Sequence, residues 1–210
     1  MQATAVTLCL GVLLWVEPAS AEKEYPLKVA VHRDVRPLTQ KSIEKILAGA
    51  SDLLKKNRGY KCDVKFTLDG SVETFASAPS LITDAASLEA VHSVPADVKV
   101  VQTIKFCKGR YDKDGFIGCA WRPEGRPKTV IVTRLVAVDL RPILWAHEFG
   151  HVTGLQHRID DNSALMTPCP QQLNTDRINR DECRCFLAGP GGCPMPETDL
   201  KCPRTQSTFD

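Results

Sequence analysis

Apolar and polar residues alternate along several stretches of the chain, which is the pattern of β-strands that bury one face. Valine is frequent in these stretches, as expected for strands. The pattern predicts strands at residues 25–35, 60–70 and 97–107, a short one after a turn within 109–125, and another at 128–134.

A helical period separates the first two of these strands. Residues 38–59 place apolar side chains at helical spacing, namely Ile43, Ile46, Leu47, Ala50, Leu53 and Leu54. Thr39 can cap the start of this helix and Gly59 its end.

Later segments predict three further helices. A short one lies near residues 84–94, and another covers 175–188. Between them, a helix begins near Asp139, a good N-cap, has Pro142 in its first turn and runs to Gly154. This order of elements indicates an α+β sheet domain whose most distinctive helix comes late in the chain.

The N-terminal segment differs from the rest. AVTLCLGVLLWV is an apolar run of 12 residues, and Ala19-Ser20-Ala21 has the form of a signal-peptide cleavage site. The run is too short for a transmembrane helix. We therefore expect a signal peptide at 1–21, secretion to the extracellular space or periplasm, a folded domain at 22–188 and a disulfide-pinned tail at 189–210.

Cysteine usage agrees with export. The sequence has nine cysteines, and eight remain without Cys9 of the signal segment. An even number in an oxidising compartment predicts up to four disulfides. Cys183 and Cys185 are too close to pair with each other, so each is expected to bond elsewhere. The alternative, a thiolate zinc site, is disfavoured because no C-x-x-C pair exists.

Residues 146–157, AHEFGHVTGLQH, contain three of the five histidines of the chain. On a helix, His147 and His151 lie one turn apart on the same face, so both imidazoles can bind one metal ion. Glu148 is rotated by about 100° from His147 and can act on a water molecule beside the metal. His157 reaches the metal only if the chain turns sharply, and Gly154 can supply that turn. A helix that merely carries surface histidines leaves the glutamate and the glycine unexplained.

The stretch HEFGHVTGLQH resembles the long zinc signature of the metzincin metallopeptidases. SALMTP, at 163–168, is similar to the Met-turn of that clan, and the combined pattern most resembles its matrixin-like branch. Pro168 stands where serralysins and astacins carry a tyrosine, and Arg158 follows the third histidine where matrixins usually have serine. The resemblance implies a zincin-like α+β fold, with a twisted mixed sheet of about five strands, an active-site helix and a C-terminal helix.

The resemblance further implies a secreted zinc endopeptidase. His147, His151 and His157 would bind one Zn²⁺, Glu148 would be the general base for a zinc-bound water, and Met166 would be a structural floor. The expected partner is a protein or peptide substrate, and the expected state is a monomer. The alternatives are a catalytically silent zinc-binding module, a zinc hydrolase that acts on a non-peptide bond, and a disulfide-rich inhibitor or adhesion module.

Other candidate sites are weaker. DKDG at Asp112 to Gly115 suggests either a calcium loop or a tight turn, because the remaining ligands of a calcium loop are absent. His32 has no neighbouring histidine or aspartate pair of ligand type and is interpreted as structural, and His92 is interpreted as a surface or packing residue. The net charge of +2, from 27 basic and 25 acidic residues, gives no reason to expect nucleic acid or a membrane as a partner.

Overall fold

The computed structural model describes residues 22–121, 129–134, 137–168 and 175–193. The predicted signal peptide and most of the predicted tail lie outside these residues, as do Cys169 and Cys202. The helices are α1 Gln40–Lys55, α2 Ala85–His92, α3 Leu140–Thr153 and α4 Arg180–Ala188. The strands are β1 Lys23–Leu27, β2 Val29–His32, β3 Val64–Leu68, β4 Glu73–Phe75, β5 Leu81–Ile82, β6 Val98–Val101, β7 Thr103–Cys107, β8 Arg110–Phe116, β9 Gly118–Trp121 and β10 Thr129–Thr133.

A five-stranded mixed sheet in the order β4-β2-β6-β10-β9 forms the centre of the described structure. Its first four strands are parallel to their neighbours, and β9 pairs antiparallel with β10 at one edge. Two smaller sheets, β1-β3 and β5-β7-β8, extend this framework. The predicted α+β fold, with a mixed sheet of about five strands and a C-terminal helix, is confirmed.

Apolar side chains pack on both faces of the central sheet. On one face, α1 and α3 contribute to a core that includes Leu47, Leu54, Leu144 and Phe149. On the other face, α2 packs with the β5-β7-β8 sheet around residues such as Leu88 and Ile104. Helix α3 is therefore held between the sheet, α1 and α4, and most of its residues are buried.

Two predicted strands are each divided in the structure. Residues 25–35 form β1 and β2, and residues 97–107 form β6 and β7. The breaks fall at Lys28, whose N–H donates to the Asp97 carboxylate, and at Gln102, whose N–H donates to the Ser80 carbonyl. Each run therefore passes from one sheet into another, which alternation along the chain does not reveal.

The predicted end of the first helix is also corrected. Thr39 is its N-cap and accepts a hydrogen bond from the Ser42 N–H, as predicted, but the helix ends at Lys55 with Lys56 as the C-cap. Gly59 instead lies where a Cβ atom would be 2.2 Å from the Ile178 carbonyl oxygen. Its lack of a side chain allows this close approach of two backbone segments.

Three disulfides join parts of the described structure. Cys62 bonds Cys183, Cys107 bonds Cys119, and Cys185 bonds Cys193. The expectation that Cys183 and Cys185 have different partners is confirmed. The described helices include none that is both long enough and apolar enough to cross a membrane.

Candidate active site

Helix α3 carries three of the candidate site residues. Asp139 is its N-cap as predicted, although the side chain of Asp139 makes no capping hydrogen bond. His147 and His151 lie one turn apart, and the centroids of their rings are 4.8 Å apart. Glu148 lies between them in sequence and is 5% exposed. The helical period thus places two imidazoles together, with a buried carboxylic acid beside them.

Gly154 ends α3 in a left-handed conformation, with φ of 109°. Its N–H bonds the His151 carbonyl oxygen, and the Leu155 N–H bonds the carbonyl oxygen of Gly150. A residue with a Cβ atom would be strained at this φ. The turn brings His157 back towards the helix, so that its Nε2 lies 3.1 Å from Nε2 of His151.

Backbone carbonyls fix the orientation of two of the imidazoles. Nδ1 of His147 donates to the Leu165 carbonyl at 2.7 Å, and Nδ1 of His151 donates to the Leu155 carbonyl at 2.8 Å. In each neutral ring the proton is therefore on Nδ1, and Nε2 keeps a free lone pair. This pattern of hydrogen bonds is typical of histidines that bind a metal ion.

The ligand atoms of His147, His151 and His157 lie within 4.8 Å of one another. The separation of 3.1 Å between the Nε2 atoms of His151 and His157 is close to the ~3.3 Å expected across a tetrahedral zinc with bonds of about 2.05 Å. Burial lowers the pKa of His147 to about 4 and that of His157 to about 3. Burial also lowers the pKa of His151 well below its usual range. All three rings are therefore neutral near pH 7, as ligands must be, and the residues present fit a zinc ion.

Glu148 lies against the edge strand β9. Its carboxylate accepts a hydrogen bond from the Ala120 N–H, and a Cβ atom at Gly118 would be 2.2 Å from its Oε1 and 2.6 Å from its Cγ. Burial raises the pKa of Glu148 to about 8, although the charge of Lys108 and the Ala120 N–H act in the opposite direction. Among the described residues, the group of side chains that could share one metal ion consists of the three histidines and does not include Glu148. Its position is that of a side chain next to a metal rather than bound to it.

Met166 is fully buried beneath the histidines. A Cβ atom at Gly150 would be 2.5 Å from the sulfur of Met166, so the glycine allows the methionine to pack directly against α3. The preceding residue, Leu165, provides the carbonyl that orients His147. The predicted Met-turn segment therefore lies directly under the helix that carries the motif.

Arg158 joins the loop after His157 to the Met166 segment. Its backbone N–H donates to the Met166 carbonyl at 2.7 Å. Its guanidinium donates to Glu182 at 3.1 Å and to Asp161 at 3.1 Å. Only 17% of the Arg158 side chain is exposed. The residue that departs from the matrixin pattern thus links three segments around the site.

The remaining candidates lie elsewhere. His32 is buried, with Nε2 bonded to the Ala78 carbonyl, and His92 is buried against the Thr129 hydroxyl. Asp112 to Gly115 lie within strand β8, where Asp112 accepts a hydrogen bond from the Asp114 N–H, and the calcium loop stays a prediction.

Sequence reasoning did not single out Gly118 or Gly150. Gly118 could have been noticed as a glycine within a predicted strand, and Gly150 as the glycine that precedes His151 in the motif.

Comparisons with known proteins give weak structural likenesses. No family model and no curated protein matches this sequence. Metalloproteinase-II from Bacteroides fragilis is 17% identical over 80% of this chain and 54% of its own, with a TM-score of 0.43. Archaemetzincin from Methanopyrus kandleri is 15% identical over 81% of this chain and 96% of its own, with a TM-score of 0.49. The chain thus spans about half the length of the first of these proteins.

Proposed function

We propose that this protein is a secreted zinc-dependent endopeptidase. The observation that carries the proposal is the convergence of three neutral imidazoles beside Glu148, a buried carboxylic acid held at the edge of a β-sheet. A purely structural zinc site is closed by four protein ligands, whereas a catalytic site has three and an open position. Among the described residues three histidines and no fourth ligand come together, which matches the second type.

The ligands would be His147, His151 and His157. When bound, zinc would polarise the scissile carbonyl, lower the pKa of a water molecule and, as a positive charge, lower the pKa of Glu148. The carbonyls of Leu165 and Leu155 hold the rings of His147 and His151 in the required tautomer.

Glu148 would be the general base. It would take a proton from the attacking water and pass it to the leaving amine, a role that requires a carboxylate of defined position. The Ala120 N–H and the open space at Gly118 supply that position. Burial raises the pKa of Glu148 to about 8, and the charge of bound zinc would lower it again, which favours the carboxylate form that a general base requires.

Strand β9 would bind the substrate backbone. The Thr133 N–H bonds the Ile117 carbonyl, so Ile117 and, by alternation, Cys119 face β10. The backbone groups of Gly118 and Ala120 therefore face outward, towards the side where Glu148 lies. An extended peptide could pair with this edge as an added strand through the backbone groups of Gly118 and the carbonyl of Ala120, because the Ala120 N–H is bonded to Glu148.

Secretion is part of the proposal. It is supported by the signal-like segment at 1–21 and by three disulfides, which form and persist in oxidising compartments. Residues 169–174, which follow the Met-turn, lie outside the described residues.

The proposal is tested with purified protein that begins at Glu22. A library of quenched fluorescent peptides is offered to the zinc-loaded protein, to the chelated protein and to chelated protein with zinc restored. Cleavage should require zinc, and Glu148→Gln should lower kcat/KM by about 10²- to 10⁴-fold while zinc content is unchanged. Full activity in Glu148→Gln would exclude the proposed base. Tight zinc binding without cleavage of any peptide would favour the silent binding module.

A further inference from the structure

The tip of the β7–β8 hairpin lies beside the candidate active site. Cys107 pairs with Arg110, so the turn between the strands consists of Lys108 and Gly109 alone. Both have positive φ angles, 49° and 76°. This is the geometry of a type I′ turn, whose twist matches that of the two strands.

A disulfide holds this tip against the edge strand. Cys107 bonds Cys119, with Cα atoms 5.9 Å apart. Cys119 lies between Gly118 and Ala120, the two residues that contact Glu148. The disulfide therefore fixes the hairpin tip, including Lys108, beside the edge strand that Glu148 contacts.

The charge of Lys108 acts on the ionisable groups of the candidate active site. Burial is the main cause of the shifted pKa values there, and the Lys108 charge contributes to the shifts of Glu148 and of all three histidines. Arg110 adds to the effect on His157. The Lys108 side chain is thus near enough for its charge to act on all four of these groups. The acidic residues of the same hairpin, Asp112 and Asp114, do not contribute to these shifts.

The fold does not account for a lysine at this position. A left-handed conformation is costly for a side chain such as lysine, and Asn, Asp or Gly are the usual choices in this turn. Lys108 is exposed, and within the described part of the chain it forms no ion pair. Backbone strain that packing does not explain points to a functional constraint.

We propose that Lys108, assisted by Arg110, selects substrates that carry an aspartate or glutamate next to the scissile bond. The inference rests on the proposed function for the position of the substrate. A peptide that pairs with the outer edge of β9 would pass the hairpin tip, because Cys119 of that strand is bonded to Cys107. An acidic side chain there would meet a cation that has no ion-pair partner among the described residues.

The test compares matched peptides that differ only by Glu or Gln at positions flanking the cleaved bond. Wild type should cleave the Glu peptides with a kcat/KM about fivefold higher, the upper end for an exposed ion pair. Salt at 0.5 M should reduce the preference, because it screens exposed charges. The ratio should fall to about one in Lys108→Asn and persist in Lys108→Arg. Asn accepts the left-handed conformation, so Lys108→Asn should fold with an unchanged or higher Tm.

Lys113→Asn is the matched control, since Lys113 is an 80% exposed lysine of the same hairpin. It should retain the wild-type preference. A second readout is the binding of labelled Glu and Gln peptides to zinc-loaded Glu148→Gln, with and without Lys108→Asn.

Two outcomes would overturn this inference without contradicting the proposed peptidase function. Wild type would cleave peptides without a preference for Glu at any position, or the preference would be unchanged in Lys108→Asn. Absence of cleavage would overturn the peptidase, and the binding ratio would then decide the inference alone.

Discussion

Gly118 is a residue whose importance comes entirely from its lack of a side chain. A Cβ atom there would crowd Cγ and Cδ of Glu148 as well as its terminal oxygen, so rotation of the carboxylate alone does not relieve the contact. We expect Gly118→Ala to displace Glu148 and to lower kcat/KM by about 10²-fold, the cost typical of misplacing a catalytic group by about 1 Å.

Measurements of zinc content and Tm distinguish the displacement of Glu148 from unfolding of the Gly118→Ala variant. Both should stay near the wild-type values in Gly118→Ala, because the histidines do not contact Gly118. Wild-type kcat/KM in the variant would show that Glu148 does not need its position against β9.

Lys99 is a fully buried lysine in the central strand β6. Its Nζ donates to the His92 carbonyl at 3.3 Å, and burial lowers its pKa to about 7, although Asp97 acts in the opposite direction. In the unfolded chain the pKa is about 10.4. Between pH 7 and 10 the unfolded chain therefore binds more protons than the folded protein. The free energy of unfolding should rise with pH in this window by up to about 1.4 kcal/mol per unit from this residue.

Lys99→Met should remove this pH dependence. It should also raise the free energy of unfolding at pH 7 by on the order of 3 kcal/mol, because methionine carries no charge that must be removed from water on folding. Urea unfolding at several pH values between 7 and 10 measures both effects. Lys113→Met, at an exposed site, is the control and should follow the wild type. A parallel pH slope in Lys99→Met and wild type would contradict the prediction.

At the scale of elements, Arg158 connects the His157 loop, the Met166 segment and helix α4. Its partner Glu182 also belongs to the capping box of α4, where it accepts from the Asn179 N–H. Burial raises the pKa of Glu182 even though Arg158 lies beside it, so the pair is partly shielded from water. Loss of the guanidinium would leave the carboxyl group of Glu182 without its cation and free the loop that positions His157.

We expect Arg158→Met to weaken zinc binding by about tenfold, the lower end for residues that support metal ligands. Competition with a chromogenic chelator measures this affinity. Arg184→Met is the matched control, because Arg184 is exposed and pairs only with exposed Asp181 at 3.5 Å. Equal zinc affinity in Arg158→Met and Arg184→Met would reject a role for Arg158 in positioning the site.

The elements show which parts of the structure the sequence could predict. The motif helix, its N-cap and its end at Gly154 follow from a helical period and a glycine, both of which are local. The runs at 25–35 and 97–107 were each predicted as one strand and proved to be two. Their breaks depend on Asp97 and Ser80, which are distant in sequence from Lys28 and Gln102 respectively.

The same limit applies to the site. His147, Glu148 and His151 could be identified because one helix sets their spacing, and His157 because Gly154 ends that helix three residues earlier. The contacts of Glu148 with Gly118 and Ala120 arise from the packing of an edge strand against α3, which no periodicity encodes. Lys108 is placed by the β7–β8 hairpin together with the Cys107–Cys119 disulfide, and the sequence alone does not give that pairing of cysteines.

At the scale of the molecule, two disulfides meet in α4 with very different spans. Cys62–Cys183 joins residues 121 apart and ties the segment after α1 to the C-terminal helix. Cys185–Cys193 joins residues only 8 apart. Because a cross-link removes more entropy from the unfolded chain when it closes a longer loop, the first should stabilise by about 5 kcal/mol and the second by about 2.5 kcal/mol.

Replacing each pair by alanine tests this difference directly. The paired variant Cys62→Ala/Cys183→Ala should lose about twice as much unfolding free energy in urea as Cys185→Ala/Cys193→Ala. Domains of this size are typically stable by about 5–15 kcal/mol, so the first loss is at least about a third of the total and the second between about a sixth and a half. The zinc ligands lie on α3 and its following loop, and α4 contacts that loop through Glu182. Loss of the long-range disulfide should therefore also weaken zinc retention on warming, whereas loss of the short one should not. Equal destabilisation by the two replacements would show that the long disulfide does not constrain the unfolded chain as its span predicts.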